Sequence, residues 1–368
     1  MLKILIQFII YSTLVSASES SELEKHLEKL RAAYVLPGMA AAIYIDGNLI
    51  EHAVSGIRKV GSDEKMSKAD KFHLGSCTKA MTATVAATFV EEGKLNWSDK
   101  LSDLLPNIKI HPGLENVTYE MLLAHRSGLV KDPDDETYLE LSKLETSLGR
   151  QESAKLFLEK SPSMELGKFN YSNIGYIIAG YVLEQLSGKT WEMLVQERLF
   201  IPLAMKSCGF GPTSILDEKN PTQPWGHIVD QYIVKAIHND NAPFYGPAAN
   251  IHCSIPDWTK FLTMHMQGFN HESNFLNQES FDQLHKHYPT DNPDEYTYGG
   301  WYKSHRAWAQ GDALTHSGTN TYNYASVWVA PKTKTILIST ANRSNFSGSW
   351  ATSDAISAMI RLFIKANP

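Results

Sequence analysis

Three short segments of this 368-residue chain carry residue types that perform acyl transfer. The first is Ser76-Cys77-Thr78-Lys79, preceded by Gly75 and followed by an apolar run. Residues three apart on a helix share a face, so the Lys79 amine comes within reach of the Ser76 hydroxyl. A serine at a helix start also feels the positive end of the helix dipole, which favours negative charge developing there. A buried lysine can release its proton near neutral pH and act as a base. The spacing therefore makes an activated nucleophile without histidine. Spacing alone is cheap, because Ser62-Asp63-Glu64-Lys65 matches it in a polar loop. What singles out Ser76 is the small and apolar company of Lys79: Ala80, Met81, Ala83, Val85, Ala86 and Ala87.

The second segment, Tyr171-Ser172-Asn173, is the only Tyr-x-Asn in the chain. A phenol beside a lysine ammonium has its pKa drawn down and can shuttle a proton to a leaving group. Asn173 supplies an amide donor and an acceptor, suited to holding Lys79 and a substrate carbonyl. The third segment, His316-Ser317-Gly318-Thr319, stands just before an expected strand. Gly318 permits close approach of another backbone to a strand edge. The Thr319 and Ser76 amides together would make a two-donor oxyanion hole. If His316 faces the cleft, its charge changes between about pH 5 and 8, and an anionic substrate feels that change most.

These residues need a helix after Ser76 and a strand near Thr319. Ser76–Glu92 reads as that helix, ended by Gly93. Upstream, Leu23, Leu27, Leu30 and Ala33 recur at helical spacing. Met39–Ile45 and Leu49–Val54 then alternate about Asp46-Gly47-Asn48 as a hairpin. Amphipathic helices dominate from about Asp99 to Phe281, and strand patterns return at Tyr296–Lys303, Asn323–Val329 and Thr335–Thr340 before a final helix from Ser349 to Ala366. The expected fold is α+β: one antiparallel sheet built from both chain ends and flanked by terminal helices, with a mostly helical region inserted. In residue numbers, 21–98 and 285–368 form the α/β part and 99–284 the helical part, with a ligand cleft at their junction.

Hydrophobic residues make up 43% of the chain, enough for one large domain. The formal net charge of -6, with no basic tract, makes nucleic acid and anionic membranes poor partners. Residues 1–17 read as an export signal: Lys3, a short apolar run from Ile4 to Val15, and a Val15-Ser16-Ala17 cleavage site, with a retained anchor as the alternative. Export would make the protein secreted or periplasmic, and no later segment has about 20 consecutive apolar residues. Cys77, Cys208 and Cys253 are odd in number and are expected as three buried thiols, with one bridge plus one free thiol as the alternative in an oxidising compartment. His285 and His287 lie in a charged stretch and read as solvated.

Taken in order, the three segments resemble the serine β-lactamase and penicillin-binding protein superfamily, whose signature is Ser-x-x-Lys, Tyr-x-Asn or Ser-x-Asn, then Lys-Thr-Gly or a variant. The chain is most similar to its class C-like branch of β-lactamases, D-stereospecific peptidases and esterases. Phe72-His73-Leu74-Gly75, Gly93-Lys94-Leu95, the run Leu122 to Leu129 and Pro202-Leu203-Ala204-Met205 extend the likeness from about Leu30 to the C-terminus. The resemblance implies Ser76 as nucleophile, Lys79 as base, Tyr171 as proton shuttle and Asn173 as a contact to lysine and substrate. His316, Ser317, Gly318 and Thr319 become the strand-edge motif, and no metal or organic cofactor is required. His316 departs from the lysine usual there, which weakens the case for anionic β-lactams. The expectation is therefore a secreted hydrolase of small esters or amides. A D-amino-acid peptidase, DD-carboxypeptidase or weak β-lactamase is the alternative, and a non-turnover penicillin sensor or scaffold is an alternative of another class.

Overall fold

A computed structural model describes residues 20–289 and 296–364. The expected export signal lies outside them.

Helix α1 (Glu22–Ala33) opens on a Ser21/Glu24 capping box. Strands β1 (Gly38–Ile45) and β2 (Asn48–Gly56) form the expected hairpin, with Asp46 and Gly47 both at positive φ as its two-residue turn requires. Strand β3 (Lys71–His73) leads through a 3₁₀ turn, Gly75–Cys77, into α2 (Thr78–Glu91). Four helices follow, α3 (Leu101–Leu104), α4 (Tyr119–Leu123), α5 (Asp135–Ser142) and α6 (Thr146–Glu159). Then come α7 (Asn173–Ser187) and α8 (Trp191–Val195). Next are β4 (Gly209–Phe210), the hairpin β5 (Gly226–Asp230) and β6 (Ile233–Ile237), α9 (Gly246–Ala249) and β7 (Ile251–Ser254). Helices α10 (Ile255–Phe269) and α11 (Gln278–His285) precede β8 (Tyr302–Arg306), β9 (Gly311–Thr319), β10 (Tyr324–Ala330), β11 (Thr335–Ala341) and α12 (Asn345–Phe363).

The main sheet runs β2-β1-β11-β10-β9-β8, so strands from both chain ends meet at β1 and β11, as expected. Its outer face is covered by α1 and α12, with Leu23, Leu27, Met39, Ile43, Leu337 and Met359 in one cluster. Its inner face joins a larger core around α2, which is buried on every side from Thr78 to Ala87. A helix apolar all round belongs in the middle of a large core, and each fully buried large aliphatic side chain there contributes about 1.5–3 kcal/mol. Arg150, with no exposed surface, bonds Glu184 and Glu192 and locks α6, α7 and α8 together.

Several expectations need correction. The His316–Thr319 motif stands before strand β10, as expected, but itself ends a further strand, β9, that was not expected. The inward positions of β9 include His316 and Gly318, so the period of two does not read as apolar alternation. The strand expected at Tyr296–Lys303 begins only at Tyr302, because Gly299 and Gly300 turn the chain and Gly300 has φ +78. Strands β4 to β7 lie within the stretch expected to be mostly helical. Cys208 and Cys253 form a disulfide, leaving Cys77 as a buried free thiol. His285 is buried against His265 at 2.9 Å rather than solvated, and burial pushes it down to about 3. His287 is half-buried, with Nε2 3.3 Å from the Lys303 carbonyl.

Two backbones cross in contact where the end of β9 passes the 3₁₀ turn. A Cβ on Gly318 would stand 2.0 Å from the Leu74 carbonyl oxygen and 2.6 Å from the Ser76 nitrogen. One on Gly75, whose φ is +51, would stand 2.2 Å from the Thr319 nitrogen. Both obstacles are backbone and cannot rotate away. Gly318→Ala should lower unfolding free energy by about 1–3 kcal/mol, as overpacking does. Denaturant titration reads this, and unchanged stability would show that the crossing opens freely.

Candidate active site

Ser76 lies in the 3₁₀ turn, half-exposed at the wall of a cleft of about 1520 Å³. One helical turn on, Lys79 is fully buried. Its Nζ reaches Ser76 Oγ at 3.2 Å, Asn173 Oδ1 at 2.6 Å and the Ala248 carbonyl at 2.9 Å. Burial pushes the amine down to about 7, with the Asp132 carboxylate opposing.

The partners decide where the protons lie. A carbonyl and a carboxamide oxygen can only accept, so they take the two hydrogens of a neutral amine. The remaining lone pair then faces Ser76 Oγ, the one partner able to donate. The orientation of Asn173 is set independently: its Nδ2 donates to Asp132 Oδ1 at 2.6 Å, and a carboxylate only accepts. Tyr245 also donates to Asp132 Oδ1, at 2.9 Å. This arrangement can take the proton of Ser76 without histidine. Ser62, of the look-alike spacing, instead donates to the Lys59 carbonyl in its own loop.

Tyr171 lines the same cleft as Ser76. Burial raises its phenol, with the Ser76 hydroxyl opposing, so the expected depression is not found. The Lys79 Nζ lies over the ring, 4.9 Å from its centroid, and also over Tyr176 at 5.4 Å. Tyr171 is therefore a neutral hydroxyl.

His316 is likewise not the titrating group expected. It is 2% exposed, and burial, assisted by Lys79, pushes it down to about 3. Its Nδ1 lies 2.6 Å from the Ser317 carbonyl, which only accepts, so Nε2 accepts from Tyr296 Oη at 3.0 Å. Ser317 points to the other face of β9, 3.4 Å from Ser326 Oγ. Thr319 lines the cleft, with Gly318 at the backbone crossing. Strand β8 stops at Tyr302 opposite Thr315, so residues 316–319 leave one edge of β9 uncovered by it.

Sequence reasoning missed Asp132 and Asp240, and marked His73 and His125 only within segments of the resemblance, without a role. His125 has φ +59, packs 4.1 Å from the Tyr171 ring and accepts the Ser172 amide at 3.0 Å, fixing the strand-like segment that presents Tyr171. The run Leu122 to Leu129 marked this region only by resemblance. For Asp132, no local pattern points to it.

A serine and a buried lysine one turn apart, with Tyr-x-Asn and a glycine-bearing strand end, define the Ser-x-x-Lys class of serine hydrolase sites. The Beta-lactamase family model matches residues 23–355, and the chain belongs to that family. Penicillin-binding protein 4 of Amycolatopsis lactamdurans is 26% identical over 247 residues, 66% of this chain and 63% of that protein. N-acetylmuramyl-L-alanine amidase of Bacillus subtilis is 29% identical over 192 residues, 48% of this chain and 43% of that protein. The chain thus spans less than two thirds of the length of these curated relatives. The octameric penicillin-binding protein homologue from Pyrococcus abyssi superposes with TM-score 0.76 at 23% identity, over 92% of this chain and 77% of that one. A class C β-lactamase from Rhodobacter sphaeroides gives 0.71 at 15%, covering 92% and 99%. The D-amino acid amidase from Ochrobactrum anthropi SV3 gives 0.70 at 19%, covering 93% and 99%. These structural likenesses establish the fold.

Lys79 must be neutral to accept the Ser76 proton, so the rate of Ser76 modification by a fluorophosphonate should rise with pH through about 7. Asp132→Asn removes the charge that holds the ammonium and should move that limb to lower pH. A limb that stays put in the variant would remove Asp132 from the electrostatics of Lys79.

Proposed function

We propose that this chain is a serine hydrolase of esters or small amides that works through an acyl-enzyme on Ser76. The observation that carries the proposal is the buried Lys79 Nζ, 3.2 Å from Ser76 Oγ, with its other two contacts to Asn173 Oδ1 and the Ala248 carbonyl. Ser76 Oγ attacks the substrate carbonyl carbon while its proton passes to Lys79. The oxyanion forms against the Ser76 and Thr319 amides. The bond to the leaving group then breaks, and the proton returns to that group through the Tyr171 hydroxyl. Water repeats the sequence to release the acid and restore Ser76. Asn173 holds Lys79 and keeps one amide hydrogen for the substrate carbonyl. The His316–Thr319 edge of β9 lines up the substrate backbone, with Ser317 beside the second cavity described below.

Tyr171 also lines a second cavity of about 480 Å³, together with Tyr302, Ser317, Trp328, Ser349, Ser353 and buried, neutral His316. Hydroxyls and rings supply no fixed charge for a substrate carboxylate, which supports neutral substrates over β-lactams and carboxylate-ended peptides. A second reading, a small D-aminoacyl amide, is favoured by the acids Asp132, Asp135 and Glu145 in the cleft, against Lys131. A substrate ammonium would find Coulomb attraction there.

Export is part of the proposal, supported by the N-terminal pattern of residues 1–17 and by the Cys208–Cys253 disulfide. Among the described residues, no helix is long and apolar enough to cross a membrane.

Purified protein should turn over p-nitrophenyl butyrate more efficiently than nitrocefin, in a sustained steady state. Ser76→Ala should lose about 10³-fold or more in kcat. A burst without turnover would instead fit a sensor, and a nitrocefin efficiency above the ester's would reverse the substrate ranking.

A further inference from the structure

The two amides proposed to hold the oxyanion belong to distant parts of the chain, one to the 3₁₀ turn and one to the end of β9. They meet at a crossing of two glycines, which have no side chains to hold the register. Asp240 touches both sides of that crossing. Its Oδ2 lies 2.9 Å from His73 Nε2. The His73 Nδ1 accepts the Gly75 amide at 3.1 Å, so in the neutral ring the proton sits on Nε2, the nitrogen nearer the carboxylate. Its Oδ1 accepts Asn320 Nδ2 at 2.8 Å and the Asn241 amide at 2.8 Å. Asn320 directly follows Thr319, and its own Oδ1 accepts the amides of Tyr322 and Asn323 at 3.2 and 2.9 Å. His73 and Asn320 are each 2% exposed, and the Asp240 side chain is 5% exposed.

We propose that Asp240 is a positioning residue that braces the oxyanion site, with His73 and Asn320 as its two arms. This rests on the reading of the Ser76 and Thr319 amides as oxyanion donors. Such donors must sit about 2.7–3.1 Å from the developing charge, a tolerance of a few tenths of an ångström. Backbones in bare van der Waals contact can slide along one another by that much. A carboxylate in ion-pair contact with His73, two residues before Gly75, on one side and hydrogen-bonded to the residue after Thr319 on the other removes that freedom. Asp240 acts through these two arms and need not touch the reacting atoms.

The test compares Asp240→Asn, Asn320→Asp and the double variant carrying both changes. Two quantities are read on each: kcat/KM for p-nitrophenyl butyrate, and the affinity of phenylboronic acid, which bonds Ser76 Oγ and places a tetrahedral boron oxygen at the oxyanion position. Asp240→Asn turns a donor toward a donor, and Asn320→Asp sets two carboxylates face to face. Each single change should lower kcat/KM by ~10- to 100-fold and weaken the boronate by the same factor. The ester KM should move by less than about 3-fold. The double variant restores one donor–acceptor pair and should recover most of both losses. A merely structural role would lower thermal stability without linking these two readings. Single variants within about 2-fold of wild type would overturn the brace. So would a loss of turnover with boronate affinity intact, or a double variant no better than the worse single. If neither single variant folds, the double decides: near-wild-type boronate affinity supports the brace, and a weak or misfolded double overturns it. A wild-type protein that binds the boronate but hydrolyses nothing would sink the hydrolase reading and leave the brace readable from affinity alone.

Discussion

Everything at this site follows from burying one amine among two oxygens that can only accept and one hydroxyl that can also donate. Taking an ammonium out of water costs several kcal/mol unless its hydrogens are matched. Lys79 is matched for two of them, by Asn173 and Ala248, and the third contact is a hydroxyl. Burial therefore selects the neutral amine near pH 7, and the geometry aims its lone pair at Ser76. That requires the surrounding core to exclude water on all sides. The uniformly buried helix α2, with α7 and α9 packed against it, does so. The large core of the helical region is thus what lets Lys79 lose its proton near pH 7 instead of remaining a solvated cation.

The second constraint is topological. Because β1 and β11 pair, residues near position 40 and residues near position 340 share one sheet, and β9 is carried to the turn at Ser76. The contact closes only because Gly75 and Gly318 face one another's backbones. Ser76 comes from the first quarter of the chain and the strand edge from the last. Tyr171 and Asn173 come from the middle, so the site exists only when all three parts are folded together. The disulfide ties β7 to the segment before β4 across a sequence separation of 45 residues. Since β7 also pairs with β3, this fastens the strand that leads into Ser76.

What was legible in the sequence was local. Ser76 and Lys79 were visible because a helical spacing of three is a statement about one turn, and Tyr171 with Asn173 because two chemically distinctive residues stand at a helix start. The hairpin at Asp46-Gly47-Asn48 was visible for the same reason, and the shared sheet because strand patterns stand at the two ends of the chain with helices between. The failures were long-range. Asp132 meets Asn173 across 41 residues, and Asp240 meets Asn320 across 80. Strand β9 was hidden because its inward positions carry His316 and Gly318 instead of aliphatics. The charge states of Tyr171, His316 and His285 were misjudged together and for one reason. Each depends on how much water the fold leaves around the group, which residue type and spacing do not encode.

The replacement of a cation by His316 bears on Lys79 as well as on substrate choice. The two groups are within electrostatic reach, since Lys79 contributes to holding His316 neutral. Like charges in one buried site cannot both be kept, and each lowers the pKa of the other. A permanent cation at position 316 would therefore push Lys79 further toward its neutral form while offering an anchor to a substrate carboxylate. With His316 neutral, bonded to Tyr296 and the Ser317 carbonyl, the burial of Lys79 is opposed chiefly by Asp132. A neutral His316 thus leaves Lys79 with a pKa of about 7 instead of a still lower one. In the proposed mechanism, an amine that exchanges its proton near pH 7 is suited to take a proton in one step and give it back in the next.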